Sequence, residues 1–303
     1  MRLLLRQLQS PGDILCLTAA VRDLHTTHQD WRINVQTSAM ELWENNPHLD
    51  RSVTERDADM SIYCQYPAIH RSNERNIHFV YAFHEFLEDQ LGVRIERGPG
   101  RCDVHLTEQE KHIFDGMPRS TAIIDSGIKQ DFTCKGWEVD RFQQVVDRTK
   151  DQWHWVQIGA SNHLHRPLKG VENLIGKTTH RQLLALMYQA SMVLTPVSYP
   201  MHLATMEWRY GERRPCVVIA GGREPSAWEA YSGHQFLHRC GCYDCNRRGG
   251  CWRSRIVPLH DGSDKDKSIC EHPVATGSGQ FIPMCMDEIT VDEVVRAIEA
   301  YKL

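Results

Sequence analysis

Two separated segments carry side chains that could act on a ligand: Gln9-Ser-Pro-Gly-Asp-Ile-Leu15 and Ser198-Tyr-Pro-Met-His-Leu-Ala204. Asp13 follows an apolar run and opens a helical stretch, so its carboxylate is expected at the carboxyl end of a strand, where open α/β sheets bind ligands. There it could accept a proton, or it could simply cap the following helix. His202 is expected on the first turn of a helix, where it could hold a phosphate or be a packed, hydrogen-bonded histidine. We expect the two segments to face each other across one cleft.

The last quarter of the chain holds six of its eleven cysteines: Cys240, Cys242, Cys245, Cys251, Cys270 and Cys285. Four thiolates form tetrahedral sites for zinc or iron, and a reducing compartment keeps them free to do so. We expect the ligands to be Cys245, Cys251, Cys270 and Cys285, with Cys242 as a substitute for Cys245. The alternatives are unconnected thiols in a surface loop, or a redox pair made by Cys242 and Cys245.

Such a metal would be structural, because four protein ligands leave no open coordination position. It would stabilise residues 236–286, which have little apolar periodicity of their own.

A third candidate segment runs over residues 219–231. Gly221 and Gly222 follow a predicted strand and would let the backbone approach a ligand closely, while Arg223 could pair with an anion. A plain loop after a strand is the alternative interpretation.

Strands and helices alternate along both halves of the chain, which predicts parallel sheets with right-handed crossovers. Strands are predicted at residues 2–8, 31–37, 120–125, 153–158, 192–194 and 215–220. Helices are predicted at residues 14–27, 39–44, 71–91, 107–114, 139–150, 179–189 and 291–301. A length of 303 residues favours two domains, with a boundary near residues 115–119.

The composition is that of an ordinary globular protein, with 41% hydrophobic and 24% charged residues. A formal net charge of -4 gives no basic excess that would indicate nucleic-acid binding. No apolar run approaches the roughly 18 residues that a membrane span needs, and no signal-peptide pattern is present. These features predict a cytoplasmic protein without a membrane span.

Several short motifs occur along the chain in an order that resembles that of one enzyme family. They are Gly12-Asp-Ile-Leu15 with Thr18 and Ala19, Asn46-Pro-His-Leu-Asp50, Asp125-Ser-Gly127, Lys135-Gly-Trp-Glu-Val-Asp-Arg-Phe142, Gly176-Lys-Thr-Thr179, Pro200-Met-His-Leu-Ala204 and Pro215-Cys-Val-Val-Ile219. Together they resemble the ADP-heptose-dependent glycosyltransferases, the lipopolysaccharide heptosyltransferase family, over most of residues 1–225. The cysteine segment is similar to that of the branch that modifies bacterial autotransporter proteins, which has a four-cysteine iron site.

The resemblance implies an α/β fold of the GT-B type, two doubly wound parallel-sheet domains with a cleft between them. Residues 1–118 would form the acceptor-side domain and residues 119–235 the nucleotide-sugar-binding domain. Residues 236–286 would be a cysteine-rich metal-binding segment of that second domain. Residues 287–303 would form a C-terminal helix that packs back on the N-terminal domain.

The implied reaction is inverting transfer of a heptose-like sugar from a nucleotide diphosphate donor, ADP-heptose first, to a hydroxyl on a glycan or protein. Asp13 would be the general base, Lys135 would meet the departing diphosphate, and no catalytic metal is expected. The residues expected to bind the donor are Ser126, Gly127, Lys135, Ser198, Met201, His202, Gly221, Gly222 and Arg223. The chain departs from the family at Val197-Ser198-Tyr199, where the family has an acidic residue followed by Thr-Gly.

Two other functions compete with this interpretation. A nucleotide-sugar epimerase on the same fold would also need the cleft. A non-enzymatic binding protein would instead use the cysteine knot and its arginines, Arg239, Arg247, Arg248, Arg253 and Arg255, to contact an acidic partner or nucleic acid.

Overall fold

The computed structural model describes residues 1–66, 68–69 and 71–301. It contains two parallel sheets, one in each half of the chain. The proposed segments 1–118 and 287–303 therefore each include two residues outside the described part, Pro67 and His70 in the first and Lys302 and Leu303 in the last.

The N-terminal unit is a three-stranded sheet with helices. Its strands are β1 (Arg2–Gln7), β2 (Arg32–Thr37) and β3 (Met60–Tyr63), and its helices are α1 (Pro11–Thr27), α2 (Phe79–Leu91) and α3 (Glu108–Lys111). Leu3 and Leu5 on β1 are fully buried, because β1 is the central strand of the order β2-β1-β3. Proline at the first position of α1 has its φ already set for a helix and lacks only an N–H that would be unpaired there.

The C-terminal unit is a six-stranded parallel sheet. Its strands are β4 (Thr121–Ile124), β5 (His154–Gln157), β6 (Glu172–Asn173), β7 (Met192–Pro196), β8 (Cys216–Gly221) and β9 (His234–His238), in the order β6-β5-β4-β7-β8-β9. The helices between them are α4 (Val139–Thr149), α5 (His180–Gln189), α6 (Tyr199–Leu203) and α7 (Ser226–Glu229).

Each sheet has a switch point, where the chain changes the direction in which it adds strands. In the first sheet β2 and β3 pair on opposite sides of β1, and in the second β5 and β7 pair on opposite sides of β4. Loops that leave the carboxyl ends of such strands diverge and open a crevice, which is where ligands bind in this class of fold.

The hydrophobic core is divided by the second sheet. One cluster is continuous from the N-terminal unit to one face of that sheet and includes Leu5 and Ala20 together with Val193 and Val218. The other cluster lies on the opposite face and includes Val217 and Ile219. Neighbouring residues of β8 thus enter different clusters, as the two-residue period of a strand requires.

The chain ends in a hairpin and two helices: β10 (Pro273–Ala275), β11 (Phe281–Pro283), α8 (Met284–Asp287) and α9 (Val291–Glu299). The expected docking of the last helix onto the N-terminal domain is wrong. Val294 and Ile298 of α9 belong to the cluster on the far face of the second sheet, where α9 packs on α4 and β8. Trp137 Nε1 donates to the Ile289 carbonyl (2.9 Å), so the turn before α9 is held on the C-terminal unit.

Other boundaries also differ from the expectations. β9 includes residues 236–238, so the irregular cysteine-rich segment begins after that strand rather than at residue 236. The helix expected over residues 71–91 begins only at Phe79, and the one over 39–44 is a 3-10 turn, Met40–Trp43. In the described part of the chain, no helix combines the length and the hydropathy that crossing a bilayer requires.

Candidate active site

A cleft of about 870 Å³ lies between the two units and is lined by the loops that leave both switch points. The N-terminal unit contributes segments after β1, β2 and β3, and the C-terminal unit contributes segments after β4, β5, β6, β7 and β8. Its polar lining includes Asp13, Tyr66, Asp125, Lys135, Ser198, His202, Arg223, Glu224 and Glu229. The expectation that Asp13 and the segment around His202 face one cleft is therefore met in the structure.

Asp13 occupies the first turn of α1 and faces the cleft. Its Oδ2 accepts hydrogen bonds from the Ser10 backbone N–H (3.1 Å) and from the Tyr66 hydroxyl (2.5 Å). Burial raises the pKa of Asp13 above its usual value, although the Tyr66 hydrogen bond and the charge of Lys135 partly oppose this. Ser10, and not Asp13, is the N-cap of α1; Asp13 is the third helical residue and forms a capping box with Ser10. Its carboxylate therefore stabilises the helix start and is also presented to the cleft.

Three charged groups form a compact cluster on the opposite wall. Lys135 Nζ lies 2.9 Å from Glu224 Oε1 and donates to the Val197 carbonyl at 3.2 Å. Arg223 also pairs with Glu224, and its guanidinium lies 5.3 Å from the centre of the Phe132 ring. Burial raises the pKa of Glu224, but the two cations outweigh burial and hold that pKa below its usual value. Two cations with one carboxylate leave a net positive wall.

Asp125 and Ser198 meet at the switch point of the second sheet. Ser198 Oγ donates to Asp125 Oδ2 (3.1 Å), and the Gly127 N–H donates to Asp125 Oδ1 (3.1 Å). Burial raises the pKa of Asp125 to about 6 despite these two hydrogen bonds. The pair joins the loops after β4 and β7 at the floor of the cleft.

His202 lies at the base of the cleft, where a hydrogen bond joins its Nδ1 to the Tyr231 hydroxyl (2.7 Å). Its Nε2 is 3.9 Å from Glu229 Oε2. Burial lowers the pKa of His202 to about 3, so the ring is neutral at physiological pH. Burial raises the pKa of Glu229, and the charge of Glu224 adds to that shift. Because the His202 ring is neutral, it can form a hydrogen bond with a ligand but contributes no positive charge to the cleft.

Gly12 permits the close approach of the two units at this point. A Cβ placed on Gly12 would lie 3.1 Å from His202 Cδ2, so a side chain there would require the His202 ring to shift by a few tenths of an ångström.

Four of the expected donor-binding residues lie outside the cleft lining. Ser126 is buried beneath it and accepts a hydrogen bond from Gln157 Nε2 (2.9 Å), and Met201 is a core residue. Gly221 and Gly222 instead give room to the cysteine-rich segment. A Cβ on Gly221 would lie 2.5 Å from Met286 Sδ, and one on Gly222 would lie 2.0 Å from Asn246 Nδ2.

The sequence motifs did not single out Tyr66, Glu224 or Glu229. Glu224 and Glu229 fall within the segment 219–231 that was marked for its glycines and Arg223, and a carboxylate next to that arginine was an available signal. Tyr66 follows a short strand that was not predicted, and its partner Asp13 is 53 positions away.

The cysteine-rich segment contains a second, much smaller cavity of about 20 Å³. The four expected ligands, Cys245, Cys251, Cys270 and Cys285, all line it. Cys134, Glu271 and His272 join them there, whereas Cys242 is exposed and does not line the cavity. Cys134 is a thiol that the sequence motifs did not connect with the cluster, since it lies more than a hundred residues before the others in the chain.

The residues around this cavity fit a metal ion. The space is about that of one water molecule, and thiolates are the preferred ligands of zinc and iron. A hydrogen bond from the Cys134 thiol lowers the pKa of Cys270 to about 7, whereas burial raises the pKa of Cys245 to about 11. In the part of the chain that the structure describes, the ligand atoms of this cavity that lie within 4.8 Å of one another are those of Cys245, Glu271 and His272. The four expected thiols line the cavity but do not form such a close group.

The sequence matches no protein-family model and no curated protein. The structure, in contrast, matches several solved glycosyltransferases over nearly its whole length. A family 9 glycosyltransferase from Veillonella parvula is 16% identical, with a TM-score of 0.66 and coverage of 99% of this chain and 96% of that one. The ADP-heptose lipopolysaccharide heptosyltransferase II of Escherichia coli is 14% identical, with a TM-score of 0.58 and coverage of 99% and 98%.

The iron-containing dodecameric glycosyltransferase TibC from enterotoxigenic E. coli is a further match. It is 17% identical, with a TM-score of 0.64 and coverage of 99% of this chain and 75% of that one. TibC has also been solved in complex with ADP-D-β-D-heptose, and that structure matches with a TM-score of 0.60 at 15% identity, covering 98% and 75%. The chain has the fold of these glycosyltransferases. The predicted GT-B architecture is thereby confirmed at the level of the fold.

Proposed function

We propose that this protein is an inverting glycosyltransferase that moves a heptose-like sugar from a nucleotide diphosphate donor, with ADP-heptose as the first candidate, to a hydroxyl group. The observation that carries this proposal is the pairing of a raised-pKa carboxylate, Asp13, with a cationic wall, Lys135 and Arg223, on opposite sides of one cleft. The structural likeness to enzymes that use ADP-heptose supports the choice of donor.

In the proposed reaction the acceptor binds on the N-terminal side with its hydroxyl against Asp13. The hydroxyl oxygen attacks the anomeric carbon, the bond from that carbon to the diphosphate breaks, and Asp13 takes the hydroxyl proton. A base works best when its pKa approaches the operating pH, and burial of Asp13 moves its pKa in that direction. The departing nucleoside diphosphate gains negative charge, which Lys135 and Arg223 would stabilise.

Glu224 would affect how the donor side of the cleft binds a diphosphate. Its carboxylate bonds both Lys135 and Arg223, so a bound diphosphate would share these cations with it. His202 and Ser198 would supply neutral hydrogen-bonding groups to the donor. The acceptor would be a glycan or protein hydroxyl.

We also propose that Cys245, Cys251, Cys270 and Cys285 hold a structural zinc or iron ion, which would stabilise the irregular segment and take no part in the reaction. None of the eleven cysteines is paired in a disulfide, so the four proposed ligands are available to a metal ion.

Ion pairs within the chain argue against the alternative of an arginine-rich binding module. Arg239 pairs with Glu293, Arg247 with Asp244 and Arg253 with Glu271. Arg255 is buried and pairs with both Asp261 and Asp266. Four of the five arginines thus have acidic partners, which leaves little free charge for nucleic acid.

The proposal is tested by a thermal-shift panel of nucleotide sugars followed by a transfer assay. We expect ADP-heptose to raise the melting temperature, because a ligand that binds only the native state stabilises it. Asp13→Asn should keep this shift and the fold but lower kcat by about 100-fold to 10,000-fold, the contribution of a general base.

Asp59→Asn is the matched control, since Asp59 is an exposed carboxylate of the same unit that pairs with Arg2 outside the cleft. Its activity should equal that of the unaltered protein. Full activity of Asp13→Asn, or a panel in which no nucleotide sugar shifts the melting temperature, would contradict the proposed function. Release of free nucleotide without acceptor would favour the epimerase.

A further inference from the structure

A second group of metal-binding side chains lies in the N-terminal unit, away from the cleft and from the cysteines. The ligand atoms of His48, Asp103 and His105 lie within 4.8 Å of one another. His48 is in the loop after the 3-10 turn Met40–Trp43, whereas Asp103 and His105 lie in the segment that leads to α3. Two loops thus bring two imidazoles and a carboxylate to one point.

The spacing of these atoms is compatible with a bound metal ion. His105 Nε2 is 3.0 Å from Asp103 Oδ2, and His48 Nε2 is 3.7 Å from the same oxygen. One hydrogen bond accounts for the first distance, but the second is too long for one. In a tetrahedral zinc site with bonds of about 2.1 Å, neighbouring ligand atoms lie about 3.4 Å apart. The two observed distances lie on either side of that value.

Neighbouring residues hold the three groups in this orientation. A hydrogen bond joins His25 Nδ1 to His48 Nδ1 (3.2 Å), which leaves Nε2 of His48 directed at Asp103. Arg22 Nη1 lies 3.8 Å from Asp103 Oδ1, on the carboxylate oxygen that does not face the histidines. Asn46 Nδ2 donates to Oδ2 at 3.3 Å, and the lone pair of Oδ2 that otherwise faces His105 would bind the ion. Ligating histidines and carboxylates are commonly fixed by such outer partners.

Hydrogen bonds also hold the backbone of the segment that contains Asp103 and His105. The Asp103 N–H donates to Thr18 Oγ1 of α1 (2.8 Å), and the Cys102 N–H donates to Thr205 Oγ1 of the C-terminal unit (3.1 Å). Arg181 of α5 donates to the His105 carbonyl (2.8 Å). The ligands are therefore placed before any ion arrives, at a point where both units hold the same segment.

We propose that His48, Asp103 and His105 form a binding site for a divalent transition-metal ion, with zinc as the ion that two imidazoles and one carboxylate suit. Three protein ligands leave a fourth position for water, and the side chains of His48, Asp103 and His105 are 20%, 14% and 33% exposed, so an ion can enter from solvent. The ion would join the loop of His48 to the segment that connects the two units.

The experiment is a zinc titration of the full-length protein by calorimetry, started from protein whose cysteine cavity is already loaded. We expect one further zinc ion to bind. His105→Gln should weaken this binding by at least about 100-fold, since even outer partners of a metal ligand contribute 10-fold to 100-fold. His25→Gln, which removes only the partner of His48, should weaken it by about 10-fold to 100-fold.

His112→Gln is the matched control, because His112 is an exposed histidine that contacts a single carboxylate, that of Asp115 (2.6 Å). It should leave the titration unchanged. His48→Gln provides a second ligand variant if His105→Gln does not fold, and circular dichroism checks each fold. Unchanged zinc affinity in a folded ligand variant, or absence of a further zinc ion in the unaltered protein, would overturn the proposal.

A titration with cobalt in place of zinc identifies the type of ligand atom from the absorption spectrum. Cobalt bound by thiolates shows intense near-ultraviolet charge-transfer absorption, whereas nitrogen and oxygen ligands give only weak visible bands. We expect the added cobalt ion to show the weak visible bands alone. Charge-transfer absorption that grows with the added ion would assign it to cysteines and contradict the site. The transfer assay is independent of these readouts, so failure of the proposed function would leave this result intact.

Discussion

At the scale of the residue, the position of Asp13 determines its chemistry. The same carboxylate accepts from the Ser10 N–H, as the third residue of a capping box does, and from Tyr66, which belongs to a different loop. The first contact is local and could be anticipated from the motif. The second exists only because β1 and β3 are neighbours in the sheet.

Tyr66→Phe tests this contact through the pH dependence of the reaction. The Tyr66 hydroxyl stabilises the ionised form of Asp13, so its loss should raise the pKa of Asp13 further. A base is active when deprotonated, and the acid limb of the kcat/KM profile should therefore move to higher pH. Activity should fall most at acidic pH and least at alkaline pH. Tyr63 is an exposed tyrosine of β3 that does not line the cleft, so Tyr63→Phe should leave the pH profile unchanged. An acid limb that does not move in Tyr66→Phe would show that the Tyr66 hydroxyl does not affect the pKa of Asp13.

At the scale of the element, α9 shows that amphipathicity predicts a buried face but not the surface that covers it. Thr290 caps the helix, and the reciprocal contact with Glu293 was readable from the sequence. The surface that covers the apolar face of α9 could not be predicted from the sequence. It follows from β8, whose Val217 and Ile219 present a second apolar face, and from the Trp137 hydrogen bond that holds the preceding turn.

Ile298→Ala should therefore destabilise the C-terminal unit. Removal of a fully buried isoleucine side chain from a core costs about 2–5 kcal/mol of unfolding free energy. Chemical denaturation measures the loss, and hydrogen exchange locates it: amides of α4 and β8 should lose protection before those of β1. Glu299→Ala, at an exposed position of the same helix, should change stability little. First loss of protection in the N-terminal sheet would place the helix elsewhere.

At the scale of the whole molecule, Arg223 connects the two cavities. Its side chain lines the cleft and also the small cavity of the cysteines, and its Nε donates to the Arg253 carbonyl of the cysteine-rich segment (2.7 Å). The Cys251 N–H in turn donates to the Gly222 carbonyl (3.1 Å). The segment that would be ordered by a metal therefore supports a cation of the proposed donor site.

Cys270→Ser should for this reason affect both cavities. We expect loss of bound zinc or iron by elemental analysis, a lower melting temperature, and weaker binding of the nucleotide diphosphate because Arg223 loses its support. Cys242→Ser should retain the metal, since Cys242 is exposed and outside the cavity. Full metal content in Cys270→Ser, or its loss in Cys242→Ser, would contradict the proposed ligand set.

Local periodicity and short motifs were enough to predict the alternation of strands and helices, the two segments that face the cleft, and the clustering of thiols late in the chain. Among the strands of the two parallel sheets, β3, β6 and β9 were not predicted: β3 and β6 are only four and two residues long, and β9 is an edge strand, His-Gln-Phe-Leu-His, with no fully buried residue. Their assignment needs the neighbouring strand that supplies the hydrogen bonds.

The side chains that meet in space became known only from the packing of the two units. It placed Tyr66 on Asp13, Glu224 between Lys135 and Arg223, Cys134 beside Cys270, and His48 beside Asp103 and His105. It also showed that Gly221 and Gly222, which were expected to bind the donor, lie against the cysteine-rich segment instead. Contacts between distant parts of a chain depend on the packing of whole sheets, and spacing along one sequence does not encode which loops will converge.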